Sequence, residues 1–517
     1  MTIALTTPSS ALAKLKPLDE LHEIAARHRA AGETVVLAHG TFDLLHIGHL
    51  RHLRQAKRHG RILVVTITAD AFVNKGPGRP VFSEHMRAEM LGALEFVDYV
   101  GIVNEGTAIP AINAVQPSVY VKGQDYRDSK DDITGGIIKE RNAVESHGGE
   151  IAFTDEITYS SSSLINRHLS VFDPSLDEFL EAQREKRTLD DLVGLLDRIK
   201  DYRVLFIGDA IIDDYNYVSA MGKSPKEHMI ATLFGDREIF AGGVFAAANH
   251  VADFCREVEI VTTIGEGCEF EPLIRSSLKP NVKLHPVRRP GAPTTRKARY
   301  IDKSYLRKLF EVYYMDDSPL SGNQESEIDK IIADHADQFD LVVITDFGHG
   351  LLTPSMIETL QRHSRFLAVN AQSNSANMGY NLITKYARAD YICIDAPEAR
   401  LAVSDRYSDI EQVASEILPG RIDCPRIVVT HGKNGCVGYE ADRGVVHAPA
   451  FTKTVVDTVG AGDAFFAVTA PLAAAGAGMD QITFVGNAAG AMKVGIVGHR
   501  RSVEKVPLIK FLTTLLK

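Results

Sequence analysis

No run of this chain approaches the roughly eighteen consecutive apolar residues that a membrane span requires. Met1 to Lys14 also lacks the continuous apolar core of a secretory leader. Cysteine is sparse: five residues (Cys255, Cys268, Cys393, Cys424, Cys436), none in a CxxC pair. That excludes a disulfide framework and a structural zinc site of the usual spacing, and it fits a reducing compartment. Basic charge is not in excess either. A net charge of −10 argues against a nucleic-acid surface, although local phosphate sites remain compatible with it. There is no low-complexity spacer and no internal repeat. The expectation is a cytoplasmic protein without nucleic-acid or membrane partners.

What is present is length and alternation. A chain of 517 residues exceeds one ordinary core and predicts two or three domains. Strand-like runs at Thr34–Ala38, Arg61–Thr68, Tyr99–Val103, Ser118–Lys122 and Glu150–Thr154 are separated by helical patterns, the first of them Leu12–Ala31. Alternation of this kind predicts a parallel sheet covered by helices. A charged, periodic stretch from Ser175 to Lys200 predicts one or two helices. A second alternating region follows, with strand candidates at Arg203–Ile207, Val258–Thr263, Leu341–Thr345, Phe366–Asn370, Tyr391–Ile394 and Ile427–Thr430. Lys297–Tyr314 suits antiparallel strands, and the small residues from Gly460 to Gly498 suit tightly packed helices. The expected domains are 1–168, a helical linker 169–200, and 201–517.

Two motifs carry chemistry. Gly40-Thr41-Phe42-Asp43-Leu44-Leu45-His46-Ile47-Gly48-His49 follows the first strand. It places two imidazoles three residues apart, on one face of a helix start. The unpaired N–H groups there suit a triphosphate, and two donors can stabilise charge during nucleotidyl transfer without a covalent intermediate. A bare HxxH is more often a pair of satisfied surface residues. Here Lys75-Gly76-Pro77-Gly78-Arg79-Pro80, Lys122-Gly123-Gln124-Asp125-Tyr126 and Ser160-Ser161-Ser162-Ser163 follow in order. The set resembles the cytidylyltransferase-like family of the HxGH nucleotidyltransferases. The resemblance implies a Rossmann-like domain in which His46 and His49 contact the transferring phosphate. Gly40, Thr41, Phe42, Lys75, Arg87, Lys122, Ser160, Ser161 and Ser162 would then hold nucleotide and phosphate.

The second motif is Asp457-Thr458-Val459-Gly460-Ala461-Gly462-Asp463. Backbone N–H groups of Gly460, Ala461 and Gly462 at a helix start would form an anion hole. Asp463 would take the proton of an attacking hydroxyl. A lone first-turn Asp only complements the dipole. Asp209 and Asp213 after a strand, Gly242-Gly243, and the turn Thr430-His431-Gly432-Lys433-Asn434-Gly435 complete a set that resembles the ribokinase-like sugar kinases. That family implies an α/β domain with a small β lid, ATP and Mg2+ as cofactors, and sugar contacts from Asp209, Asp213, Gly242 and Gly243. Nucleotide contacts would come from Thr430, Gly432 and Gly435, and Asp395 and Glu398 would reach the metal through water. Such kinases often dimerise through the lid, so a homodimer through Pro225–Gly242 and Arg296–Tyr314 is expected.

Together the halves resemble the bifunctional heptose enzymes, which join a heptose-7-phosphate kinase to a heptose-1-phosphate adenylyltransferase, here in reversed order. Departures stand beside the likeness. Val244-Phe245-Ala246 replaces the family's Ala-Ala-Asn after the glycine pair, Asn370-Ala371-Gln372 replaces Asp-Pro-Lys, and Asp395 opens the segment where the family has Asn. A lost hydrogen-bonding partner changes which substrate a site accepts. Asp155–Tyr159 lacks the arginine of glycerol- and ethanolamine-phosphate cytidylyltransferases, which tilts the transferase toward ATP over CTP. The expectation is a bifunctional sugar kinase and sugar-1-phosphate nucleotidyltransferase, with heptose phosphate first. The alternatives are another sugar or polyol phosphate with CTP, or a kinase half acting as a nucleotide sensor.

Overall fold

The computed structural model describes residues 10–73, 75, 79–124, 136–154, 173–224, 226–304, 306–452 and 455–517. It divides into two compact units, Met1–Asp177 with Ile509–Lys517, and Glu178–Leu508.

In the first unit β1 (Val35–Gly40), β2 (Ile62–Thr68), β3 (Tyr99–Val103), β4 (Val119–Gly123) and β5 (Glu150–Thr154) form a five-stranded sheet in the order β3-β2-β1-β4-β5. Every pairing is parallel. Strand period sends alternate side chains to opposite faces. Val36 and Ala38 accordingly join one apolar cluster with Leu63 and Val65, and Val35 and Leu37 join another with Ile62 and Val64. Burial on both faces explains why these strands read as continuous apolar runs. Strand order reverses between β1 and β4, and the crevice beyond the carboxyl ends at such a point is where open α/β sheets bind ligands.

The helix expected over Leu12–Ala31 is interrupted. A short turn at Ser10–Ala13 is followed by a helix at Leu18–Ala30 with Pro17 at its N-cap. The chain between them pairs with β3, Lys16 N–H donating to the Val100 carbonyl at 2.9 Å. Pro17, lacking an N–H, starts the second helix and cannot continue the first. The charged stretch near residue 180 forms two helices, Pro174–Lys186 and Leu189–Arg198, the second opened by a Thr188/Asp191 capping box.

The second unit is built on a nine-stranded sheet. Its strands are β6 (Arg203–Gly208), β9 (Glu257–Gly265), β10 (Val282–Arg289), β13 (Leu341–Asp346), β14 (Leu367–Ala371), β15 (Tyr391–Asp395), β16 (Arg426–Thr430), β17 (Cys436–Glu440) and β18 (Gly444–Ala448). The order is β10-β9-β6-β13-β14-β15-β16-β17-β18, parallel up to β16 and antiparallel beyond. A four-stranded lid sheet of β7 (Ala210–Lys223), β8 (Ile230–Gly243), β11 (Thr295–Asp302) and β12 (Arg307–Tyr314) stands in the order β12-β11-β7-β8. The antiparallel pair expected over Lys297–Tyr314 is β11–β12. The small-residue region forms two closely packed helices, Ala461–Ala474 and Met479–Lys493. Among the described residues no helix is long and apolar enough to cross a membrane.

Candidate active sites

In the first unit, β1 ends at Gly40 and the chain turns sharply at Phe42, whose φ of 48° is left-handed for a non-glycine residue. A side chain at Gly40 would meet the Phe42 ring at 3.1 Å, a tight contact that would press on the turn. Phe42 then packs edge-on against His49, ring centroids 5.1 Å apart. His46 caps the helix Ile47–Lys57, its Nδ1 accepting from Gly48 N–H at 3.1 Å. That acceptor role places the proton on Nε2, which is buried and has no partner. The His46 and His49 rings stack at 4.0 Å, and His49 Nδ1 is also buried without a well-formed hydrogen bond. Burial, the neighbouring His46 and Lys75 push His49 down to about 3, and burial lowers His46. Two neutral rings with unused ring nitrogens, at a helix N-terminus on the strand-order switch point, fit an anionic ligand.

The surrounding residues divide into those that face this point and those that build it. Lys75 is lowered to about 8 by burial, with Asp43 opposing. Asp43 accepts from Arg79 at 3.0 Å and from Val81 N–H at 2.6 Å. Lys122 at the end of β4 pairs with Glu140 at 2.8 Å. Arg87 is fully buried and is turned into the fold. It donates to the carbonyls of Thr41 at 2.5 Å, Phe82 at 2.9 Å and Thr68 at 2.9 Å, and to Asp70 at 2.5 Å. These bonds fix the Gly40–Phe42 loop. Ser160, Ser161 and Ser162 lie outside the described residues.

In the second unit Gly460, with φ of 74°, caps the helix Ala461–Ala474. A side chain at Gly462 would meet nothing within 4 Å, so the first turn is open for a ligand. Asp463 is buried there and accepts from Gln372 Nε2 at 2.5 Å. Burial raises its pKa, while His499 and the Gln372 bond oppose the rise. Asp457 is the hub of the loop. It accepts from Tyr215 OH at 2.9 Å, Lys308 Nζ at 2.8 Å, Val459 N–H at 3.1 Å and Gly498 N–H at 2.9 Å.

Asp213 pairs with Arg299 and, at 3.1 Å, with His499 Nε2. A side chain at Gly242 would collide with Asp213 at 2.0 Å, so Gly242 makes room for this carboxylate. Gly243, with φ of 54°, turns the chain from β8 into the helix Val244–Ala252. Asp209 is differently placed: its carboxylate accepts from Phe347 N–H at 2.8 Å and His349 N–H at 3.4 Å. Burial and Asp346 raise it to about 6.

Thr430, Gly432 and Gly435 form the tight β16–β17 turn, where His431 N–H donates to Gly435 O at 2.7 Å and both glycines have positive φ. Asp395 and Glu398 form a capping box on the helix Ala396–Val403. Glu398 also accepts from Ser373 N–H at 3.2 Å. Burial and Asp395 push Glu398 up to about 8. Among the described residues no group of three or more His, Cys, Asp or Glu could hold a metal directly. Two adjacent carboxylates with a raised pKa do fit a magnesium ion that keeps its waters. Arg299, Lys308 and His499 also line this candidate site and no motif marks them, whereas Gln372 stands in a segment noted only as a departure. Gly498 immediately before His499 was the available signal.

The pfkB family carbohydrate kinase profile matches residues 203–506, and the cytidylyltransferase-like profile matches 37–167. The chain belongs to the pfkB family of carbohydrate kinases. Among curated relatives, the bifunctional protein HldE of Geobacter sulfurreducens is 38% identical over 165 residues, 31% of this chain and 32% of that protein. The HldE of Methylobacillus flagellatus is 41% identical over 159 residues, 30% of this chain and 31% of that one. The chain thus spans about a third of the length of the curated relatives it matches. A solved structure of a putative ribokinase from Agrobacterium tumefaciens is similar at 21% identity and TM-score 0.47, covering 59% of this chain and 95% of that one. Phosphofructokinase-2 from Escherichia coli is similar at 15% identity and TM-score 0.49, covering 60% and 99%.

Proposed function

We propose that this chain is a bifunctional enzyme of nucleotide-sugar synthesis, phosphorylating a sugar with ATP and transferring a nucleotidyl group to a sugar 1-phosphate. The observation that supports it most is the coexistence of two helix N-termini lined by groups that suit a phosphate. One is bordered by the unpaired Nε2 of His46 and by the His49 ring, the other carries the buried Asp463. In the kinase half, the acceptor hydroxyl oxygen attacks the γ-phosphorus, Asp463 takes the hydroxyl proton, and ADP leaves. Asp395 and Glu398 would hold Mg2+ through water, and the ion supplies charge neutralisation at the phosphates. In the transferase half, a phosphate oxygen of the sugar 1-phosphate attacks the α-phosphorus and pyrophosphate leaves. His46 Nε2–H and His49 steady the charge on the equatorial oxygens. Arg87 acts here by holding the Thr41 loop.

Heptose phosphate is the first substrate to test, given the HldE relatives. The domains proposed are 1–168 and 201–517, joined by helices in 169–200. A homodimer through the lid is supported by the apolar residues exposed on its strands, Met221, Ile230, Leu233, Phe234 and Phe310. The test is a magnesium-dependent turnover screen with ATP or CTP against sugar 7-phosphates, pentose phosphates and free sugars, read by mass spectrometry. An ADP-heptose product supports the reading in full. A CDP-linked product from another sugar keeps both chemistries and changes the substrate. Pyrophosphate release from supplied sugar 1-phosphates without any kinase turnover overturns the kinase half.

A further inference from the structure

His499 lies outside every motif, yet the fold places it with care. The residue before it, Gly498, has a φ of 47°, and a side chain there would strike the Phe240 ring at 2.7 Å. Both backbone groups of Gly498 are pinned: its N–H donates to Asp457 at 2.9 Å and its carbonyl accepts from Lys493 Nζ at 2.8 Å. The imidazole stands edge-on to Phe240, ring centroids 6.5 Å apart. Its side chain is only 7% exposed.

The two ring nitrogens have different surroundings. Nε2 meets Asp213 at 3.1 Å, and a carboxylate can only accept, so Nε2 carries a proton. Nδ1 is buried with no partner. A side chain at Gly460 would meet His499 Cε1 at 2.8 Å and Nδ1 at 3.5 Å, which puts this edge of the ring beside the cap of the Ala461–Ala474 helix. A buried polar atom left unpaired next to an open helix N-terminus needs a ligand to satisfy it. A neutral ring would present Nδ1 as an acceptor, repelling an anion. A protonated ring, balanced by Asp213, presents a charged N–H donor. Arg299 behind Asp213, Asp457 on the Gly498 N–H, Lys493, Asp463 and the buried His250 are the other charged or titratable groups around it.

We propose that His499 is a substrate-contacting residue of the kinase site, its Nδ1–H donating to an anionic phosphoryl oxygen seated at the start of the Ala461–Ala474 helix while Asp213 holds the opposite nitrogen. This rests on the kinase reading above and adds a charged donor to its backbone anion hole.

The test uses the full chain, labelled with 15N on histidine rings and glycine amides, with MgADP present and inorganic phosphate as the probe. Phosphate should shift both the Gly462 amide and the His499 Nδ1 resonance. His499→Ala should weaken phosphate binding about 10- to 100-fold, the range for a charge-assisted hydrogen bond. His499→Asn, which returns an N–H near the Nδ1 position, should recover part of that loss, and kcat of the kinase should follow the same order. Unchanged glycine resonances show that the variants are folded. If the Gly462 amide shifts while the His499 ring does not, and His499→Ala binds phosphate as the parent does, the proposal is overturned and the kinase reading stands. If neither signal moves, both fall.

Discussion

The two candidate sites meet one requirement, stabilising charge on a phosphoryl group, with opposite electrostatics. In the first unit the proposed donors are imidazoles whose pKa burial lowers, with His46 Nε2 left unpaired. In the second, Asp213 is tied to Arg299 and His499, and Asp457 to Lys308. A neutral site gains its charge stabilisation only when the ligand arrives. A site of paired ions is organised beforehand, and beside those pairs burial raises the pKa of Asp463, the carboxylate proposed as base.

The largest expected effect separates the two. Asp463→Asn should lower kinase turnover by about 10²- to 10⁴-fold, the usual worth of a general base, and leave nucleotidyl transfer intact. His46→Ala should lower nucleotidyl transfer by about 10²- to 10³-fold, as loss of a charge-stabilising donor does, and leave the kinase intact. Steady-state assays of each half on the same preparations check both. Equal loss of both activities in Asp463→Asn would break the comparison and favour a sensory kinase half.

Next in size is Arg87→Met. Its guanidinium serves three carbonyls and Asp70 from a fully buried position. Removing it strands several acceptors, at about 1–3 kcal/mol for each one left unsatisfied. Denaturant unfolding followed by hydrogen exchange in β1 and β2 should show a destabilised first unit and weakened transfer. Lys75→Met should weaken transfer with little change in stability. If Arg87→Met leaves stability unchanged, its role lies at the ligand instead.

Acid should discriminate the units further. His39 and His49 are lowered to about 3, and His52 to about 4, all chiefly by burial. Each binds fewer protons folded than unfolded, so its contribution is present above the unfolded pKa of about 6.5 and is lost as pH falls toward the folded value. By pH 5 the loss is about 1–2 kcal/mol for each ring. The larger unit carries two comparable rings, His250 and His349. Hydrogen exchange between pH 7 and 5 should therefore show β1 and β2 losing protection before β13 and β14. The reverse order would place the acid-sensitive charge elsewhere.

How far the sequence reached depends on whether an interaction is local. The core strands of both sheets were legible because burial on two faces makes them apolar throughout. The helix-start positions of His46, His49 and Asp463 were legible because the motifs around them, not a bare HxxH or a lone Asp, mark where each helix begins. The lid strands β7 and β8 were not marked out as strands, since much of β8 is exposed and carries polar residues among its apolar ones. Pro17 breaks an amphipathic pattern whose spacing otherwise continues across it, and opens the second helix. The Asp213–Arg299–His499 and Asp457–Lys308–Tyr215 groups were invisible because their members lie tens to hundreds of residues apart and meet only through sheet order. The partners of Asp209, the N–H groups of Phe347 and His349, are likewise distant in sequence and named by no local pattern.

The smallest effect concerns Gln372, which stands where similar kinases carry lysine. Its amide donates to Asp463 Oδ1 at 2.5 Å and so favours the ionised form of the base, opposing the rise caused by burial. Gln372→Leu removes that donor, and the Asp463 pKa should rise further. The base must be ionised to accept a proton, so the acid limb of kinase kcat/KM should move to higher pH. The plateau at high pH should change little, because a deprotonated Asp463 remains in place. Nucleotidyl transfer, governed by neutral imidazoles in the other unit, should keep its profile. A kinase profile that does not move would mean that Gln372 leaves Asp463 when substrate binds, and that His499 and Lys493 temper the base.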